Sequence, residues 1–225
     1  MINSKNHCSM FCEGRSLVLR NNKISDKDLI ILNEKERLLY FSMVENNPRE
    51  PLVALVGLCP GYNQISKLVE VYNKKGDFDR ARYCASFSKA SSNISKMLRK
   101  IGVDKFLKVE IDNDFDYNSS ELFFTTSLVK CASLKLGKGR SDEFDPLKFD
   151  FSKKCIENRF VKDILVRPSL RKIIFFGKKA EKIVKNFLIN GKTIEEELKL
   201  NGKEVVFIPH PSGSNNGGVA RFLRI

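Results

Sequence analysis

Residues 52–64 read LVALVGLCPGYNQ: a short apolar run, a turn built from two glycines and a proline, then polar residues. A run this short, rich in Val and Leu and without apolar/polar alternation, reads as a strand buried on both faces. Three further runs share that composition: LFFTTSLV at 122–129, KIIFF at 172–176 and EVVFI at 204–208. Between them apolar residues recur at helical spacing. Ile94, Met97, Leu98 and Ile101 form one stripe, Cys155, Ile156, Phe160, Val161 and Ile164 a second, and Ala180, Ile183, Val184 and Phe187 a third. Residues 26–45, with Ser25 and Asp26 as caps, also read as a helix, placed before the first strand. Strands alternating with helices predict an α/β fold: a single three-layer α/β/α domain over 1–225 with a central, mainly parallel four-stranded sheet. The polar stretches 72–82, 112–120 and 137–150 read as loops, and residues 1–25 as an N-terminal arm.

Composition narrows the function classes. Lys and Arg number 40 against 27 Asp and Glu, a net charge of +13. A basic surplus on a domain of this size suits a polyanion, because cations that neutralise phosphates release condensed counterions. The basic residues are spread along the chain, so a solvated basic surface remains the alternative. No apolar run approaches the ~18 residues of a membrane span. The opening MINSKNHCSMFCEGR lacks the apolar core of a secretory signal. The expectation is a cytoplasmic, monomeric protein with no membrane partner. Six cysteines without such a signal argue against a disulfide framework and leave burial, metal ligation or thiol reactivity.

In an open parallel sheet, ligands bind beyond the carboxyl ends of the strands. Three predicted strands leave those ends in unusual sequences: Gly57–Gln64 (GLCPGYNQ), Thr125–Cys131 (TTSLVKC) and Pro209–Gly218 (PHPSGSNNGG). Gly57 and Gly61 let the backbone approach a ligand, and Pro60 fixes the bend. His210, one of two histidines in the chain, stands between Pro209 and Pro211 at a strand end. That rigid setting favours a functional role over a structural one.

A GxxPG turn after the first strand, followed by His-Pro-Ser after the last, resembles the two signature motifs of the uracil-DNA glycosylase superfamily. TTSLVKCAS (125–133) resembles the segment of the iron–sulfur branches, families four and five, that ends in a cluster-ligating cysteine. HPSGSN (210–215) is similar to the HPS-x-x-Asn form of family five, and GLCPG to its GLAPA turn. The resemblance implies an enzyme that flips a base out of DNA and hydrolyses its N-glycosidic bond. As in glycoside hydrolysis, the sugar gains oxocarbenium character. A neutral imidazole then donates to the departing base as charge builds on it.

His210 falls at that imidazole. Phe87, or Phe78 in second place, falls near the ring that stacks on the extruded base. Gly57, Cys59, Pro60, Gly61, Tyr62, Ser127 and Asn215 complete the implied base pocket. Ser212, Gly213 and Ser214, with Lys138 and Arg140 and the neighbouring Lys135, are the implied contacts to the DNA backbone. Two departures stand out. Where relatives carry a water-orienting Asp, Asn or Glu, this chain has Cys59 and then Asn63 and Gln64, with Gln64 at the family-four Glu. Where uracil-specific relatives read the base with Asn, this chain has Thr126 and Ser127, whose hydroxyls discriminate weakly. The implied target is therefore broader: uracil, another pyrimidine, or a deaminated or modified base, in base-excision repair or in defence against modified phage DNA.

Cys8, Cys12, Cys131 and Cys155 fall in the order of the iron–sulfur ligands, which implies a [4Fe–4S] cluster that ties the N-terminal arm to a loop over 132–154, with zinc as the alternative. The Cys8–Cys12 spacing departs from a CxxC pair, and Cys155 lies on an apolar helical stripe, where a buried thiol is the rival reading. Cys59 and Cys84 read as buried thiols. Two other functions stay open: a DNA- or nucleotide-binding protein of the same fold without catalysis, and a hydrolase of small nucleosides.

Overall fold

A computed structural model of the chain describes residues 30–34, 37–40, 46, 48–87, 90–135 and 144–224. Two short strands, β1 (Ile30–Glu34) and β2 (Arg37–Tyr40), precede β3 (Val53–Gly57). Helices α1 (Tyr62–Lys75), α2 (Phe78–Ala85), α3 (Ser91–Lys100) and α4 (Val103–Leu107) follow. Then come β4 (Phe123–Ser127) and β5 (Ala132–Lys135). A continuous helical stretch consists of α5 (Asp150–Cys155), a π-helical turn (Ile156–Val161) and α6 (Lys162–Leu165). The chain continues through β6 (Lys172–Phe176), α7 (Lys178–Asn186), β7 (Leu188–Ile189), β8 (Lys192–Thr193), α8 (Ile194–Leu200), β9 (Glu204–Ile208) and α9 (Asn216–Arg224).

The four apolar runs form one sheet in the order β4-β3-β6-β9, and every pairing in it is parallel. Alternate side chains of each strand enter opposite cores, because successive residues of a strand point to opposite faces. Ala54, Val56, Phe124, Ile173 and Phe175 pack with Cys155, Ile156, Phe160 and Ile164 of the π-containing helix and with Ala180, Ile183 and Val184 of α7. Val53, Leu55, Phe123, Ile174 and Phe176 pack with Ile94, Met97 and Leu98 of α3 and Val219 of α9. All three predicted stripes are thus the buried faces of helices, and the fold is a three-layer α/β/α arrangement around a parallel sheet.

The outer edge of β4 is closed by a side chain. Asn46 Oδ1 accepts from the Thr125 amide at 2.6 Å and Asn46 Nδ2 donates to the Phe123 carbonyl at 2.8 Å. Its amide thereby does for β4 what a neighbouring strand would do.

Three expectations are corrected. Residues 26–45 do not form a helix where described: β1 and β2 form a hairpin, and β2 pairs antiparallel with β5. The leucine-rich spacing there fits either state, and the free edge of β5, distant in sequence, selects the strand. The stretch 72–82, read as a loop, completes α1 and enters α2 around Gly76, whose φ of 71° ends α1 in the left-handed conformation. Ala132–Lys135, read as part of a loop, is β5. The arm 1–25 lies outside the described residues.

Candidate active site

Because the four strands run parallel, their carboxyl ends share one edge of the sheet. Gly57 of β3 is in register with Ser127 of β4, and the pairing runs on past the strands through Leu128 N to Gly57 O at 2.9 Å and Val129 N to Leu58 O at 2.9 Å. The bend 57–61 is thus tied to the end of β4. Across from it, the turn after β9 carries His210. A cleft of about 590 Å³ separates the two, within the usual size range of small-ligand sites. Gly57, Leu58, Cys59, Gly61, Asn63 and Gln64 form one wall, His210 and Pro211–Ser214 the other. Ser86, Phe87, Ala90, Thr126 and Ser127 close the remaining sides. Pro60 is buried behind the bend.

His210 is held as a neutral donor. The Ser212 amide donates to His210 Nδ1 at 3.2 Å. An Nδ1 that accepts carries no proton, so the neutral ring holds its proton on Nε2. Burial pushes the His210 pKa below its ordinary value, because withdrawal from water disfavours the imidazolium. The ring is open to the cleft yet flanked closely by protein. The Asn215 side chain fixes the turn by donating to the His210 carbonyl at 2.9 Å. Gly177, at a φ of 89°, lets the loop come close: a Cβ there would stand 3.2 Å from His210 Cβ. From α3, Asn93 Nδ2 donates to the Pro211 carbonyl at 2.9 Å.

The facing wall is shaped by Gln64. Its Oε1 accepts from the Gly61 amide at 2.9 Å, and its Nε2 donates to the Ala85 carbonyl at 3.2 Å. The first bond is half of a capping box at the start of α1. The second ties that start to the segment carrying Phe87. Gln64 is thus engaged at both ends while still lining the cleft. Asn63 is exposed on the cleft wall.

Phe87 has a φ of 47°, a left-handed conformation that costs a bulky residue on the order of 1–3 kcal/mol. Its ring meets Phe176 edge-on, centroids 5.3 Å apart, while also lining the cleft. A buried polar network supports that strained turn. Ser86 Oγ donates to Thr125 Oγ1 at 2.9 Å, and Asn118 Nδ2 donates to the Ser86 carbonyl at 3.1 Å. None of these partners carries a sequence motif, so only the fold brings them to view.

The other expected site residues divide. Ser127 lines the cleft with Gly57, Cys59 and Gly61, as do Ser212, Gly213 and Ser214. Asn215 does not: it lies on the far side of the His210 turn, because the 3₁₀ turn Gly213–Asn215 rotates it away. Phe78 opens α2, and Tyr62 opens α1; both side chains fall outside what the structure describes, as do Lys138, Arg140 and the side chain of Lys135.

Of the four expected metal ligands, Cys131 is half-buried after β4, and Cys155 is buried on the core face of its helix, where its Sγ accepts from the Lys130 amide at 3.4 Å. Cys8 and Cys12 lie outside the described residues, and among the described residues no group of three metal-ligating side chains occurs. Next to these thiols, Lys130 is almost fully buried and pairs with Asp163 Oδ2 at 3.0 Å, while its Nζ donates to Thr126 Oγ1 at 2.5 Å.

Fold and cleft define a protein with a three-layer α/β/α architecture and a cleft at the carboxyl ends of its parallel strands. No helix among the described residues is long and apolar enough to cross a membrane. No family model matches the chain, and no curated protein does. Among solved structures it is similar to a Methanosarcina acetivorans protein, determined by NMR in solution and described as a "putative Uracil DNA glycosylase". The match covers 80% of this chain and 92% of that one, at a TM-score of 0.36 and 18% identity, a likeness that carries no functional weight.

Proposed function

We propose that the chain is a DNA glycosylase of the uracil-DNA glycosylase type, which takes an extruded base into the cleft and hydrolyses its N-glycosidic bond. The observation that carries this reading is the neutral His210 imidazole facing the Gly57–Gly61 bend across a single cleft. Those are the two segments on which the motif resemblance rests.

The chemistry follows from the residues. As the C1′–N bond lengthens, its electron pair moves onto the base, and the proton on His210 Nε2 donates a hydrogen bond to the oxygen where charge gathers. Desolvation keeps the ring neutral, so it acts by hydrogen bonding rather than by giving up its proton. Water, oriented by the Asn63 amide, adds to C1′ and loses a proton that ends on the departed base anion. An oxocarbenium-like transition state asks little of a base, so a carboxylate in the bend is dispensable. Phe87 stacks on the extruded base, and the Ser127 hydroxyl, able to donate or accept, tolerates several bases. Ser212, Gly213 and Ser214 hold the sugar–phosphate backbone beside it.

Oligonucleotides carrying uracil, hypoxanthine or a modified cytosine, incubated with the protein and then treated with alkali, test the reading. Strand cleavage at one of these bases is expected, and His210→Ala should lower the rate by about 10²–10³, as for loss of one electrostatic donor. No cleavage at any base, with salt-sensitive DNA binding intact, would favour the non-catalytic binding protein instead.

The same reading assigns Cys131 and Cys155, with Cys8 and Cys12, to a [4Fe–4S] cluster. Such a cluster pins the N-terminal arm to the segment after β4 and takes no part in bond cleavage. Iron and acid-labile sulfide in protein purified without oxygen are the expected result. Zinc in their place, or no metal, sinks the assignment.

A further inference from the structure

The His210 turn has two sides. Behind it, opposite the first cleft, lies a second of about 630 Å³, between the start of α7 and the face of α9. Two rings line it. Phe207 is stacked on Phe175 with centroids 5.6 Å apart and has Lys185 Nζ 4.8 Å from its centroid, whereas Phe222 of α9, on the other face of the sheet, is half-buried at the cleft wall. Lys178 and Arg221, both exposed, stand at its rim. The one carboxylate in the lining, Glu181, is bound to Lys185 at 2.6 Å, so the rim keeps its positive charge. His210 lines both clefts and forms the ridge between them.

Rings on which a base can stack, flanked by cations that meet a phosphate, are what a single-stranded nucleotide needs. We propose that the second cleft binds the nucleotide adjoining the flipped one in the same DNA strand. Its base lies against the Phe222 ring, and its phosphate is met by Lys178 and Arg221. This inference rests on the glycosylase reading for the identity of the strand. It adds to that reading a second unstacked nucleotide, so the strand crosses the His210 ridge with one base on either side. A site that must accept every neighbouring base gains from stacking and charge, which are sequence-tolerant, and this cleft supplies those two.

The test reads binding and needs no turnover. Fluorescence anisotropy is measured with the full chain and short oligonucleotides carrying an uncleavable abasic analogue at the target position. In matched probes the base is also removed from the 5′ or the 3′ neighbour. The wild-type chain should lose about tenfold in affinity when one of the two neighbours lacks its base, in the range of a single base–aromatic stack. Phe222→Leu keeps the apolar volume but removes the ring face, and should cut that neighbour effect to below about twofold. Lys178→Glu with Arg221→Glu should weaken binding to every probe and flatten its salt dependence. Affinity indifferent to both neighbours, or a neighbour effect undiminished in Phe222→Leu, overturns the proposal. Absence of base release in the alkali assay tells against the glycosylase reading alone, because these probes contain no scissile base.

Discussion

The Ser212 amide and the protein around the His210 ring act on the same equilibrium. The amide places the proton of the neutral ring on Nε2, and burial of the imidazole lowers its pKa and so favours the neutral form. A neutral His210 is the active form in the proposed reaction, so the acid limb of kcat/KM should lie below the ordinary imidazole value of about 6.5. A pH–rate profile checks this, and a limb at or above that value contradicts it. The sign for stability follows by linkage. The folded pKa is depressed, so the unfolded chain binds the proton first as pH falls. The contribution of His210 is therefore full above about 6.5 and is lost as pH drops through the folded value. At this scale the sequence was legible for some residues and not for others. His210 between two prolines announced itself. Gln64 did so only in part: its position at a carboxylate of related sequences suggested water, and the bridge its amide makes between Gly61 and Ala85 comes to view only in the fold. Asn215 was misplaced for a similar reason: sequence distance from His210 gives no direction, and the 3₁₀ turn supplies one.

Elements were legible where burial was symmetrical. The four apolar runs lie between two helical layers, so they are mainly apolar without alternation and read one way, even at the half-buried edge strand β9. The hairpin of β1 and β2 was hidden because its leucines fit helix and strand alike, and the deciding partner, β5, sits far along the chain. The edge of β4 shows another device invisible in sequence, the Asn46 amide standing in for a strand. Asn46→Ala leaves the Thr125 amide and the Phe123 carbonyl without these bonds, and should cost about 3 kcal/mol in urea unfolding. Asn46→Asp keeps the acceptor but sets a carboxylate oxygen against the Phe123 and Tyr117 carbonyls in a buried site, so it should destabilise at least as much as Ala. Equal stability of all three proteins would show that the edge is closed by other means. Thr125 also bonds Ser86 beside Phe87, so the alanine variant should weaken base stacking as well as the fold.

At the scale of the whole molecule, the net charge of +13 is a statement about partners. Lys178 and Arg221 neutralising two phosphates predict that DNA affinity falls roughly tenfold between 50 and 200 mM salt. A titration that finds affinity flat over that range removes the backbone from the interface and leaves a free nucleoside as the ligand. The sequence by itself determined the alternation of strand and helix, the parallel order of burial, and the two turns that carry the cleft, because local composition and 2- or 3.6-residue periodicity encode burial directly. Only the tertiary structure decided that the Gly57–Gly61 bend faces His210, that Phe87 is bent into the cleft wall, and that a second cleft opens behind the same imidazole. Those facts depend on strand order and on hydrogen bonds between residues distant in the chain, which no local pattern records.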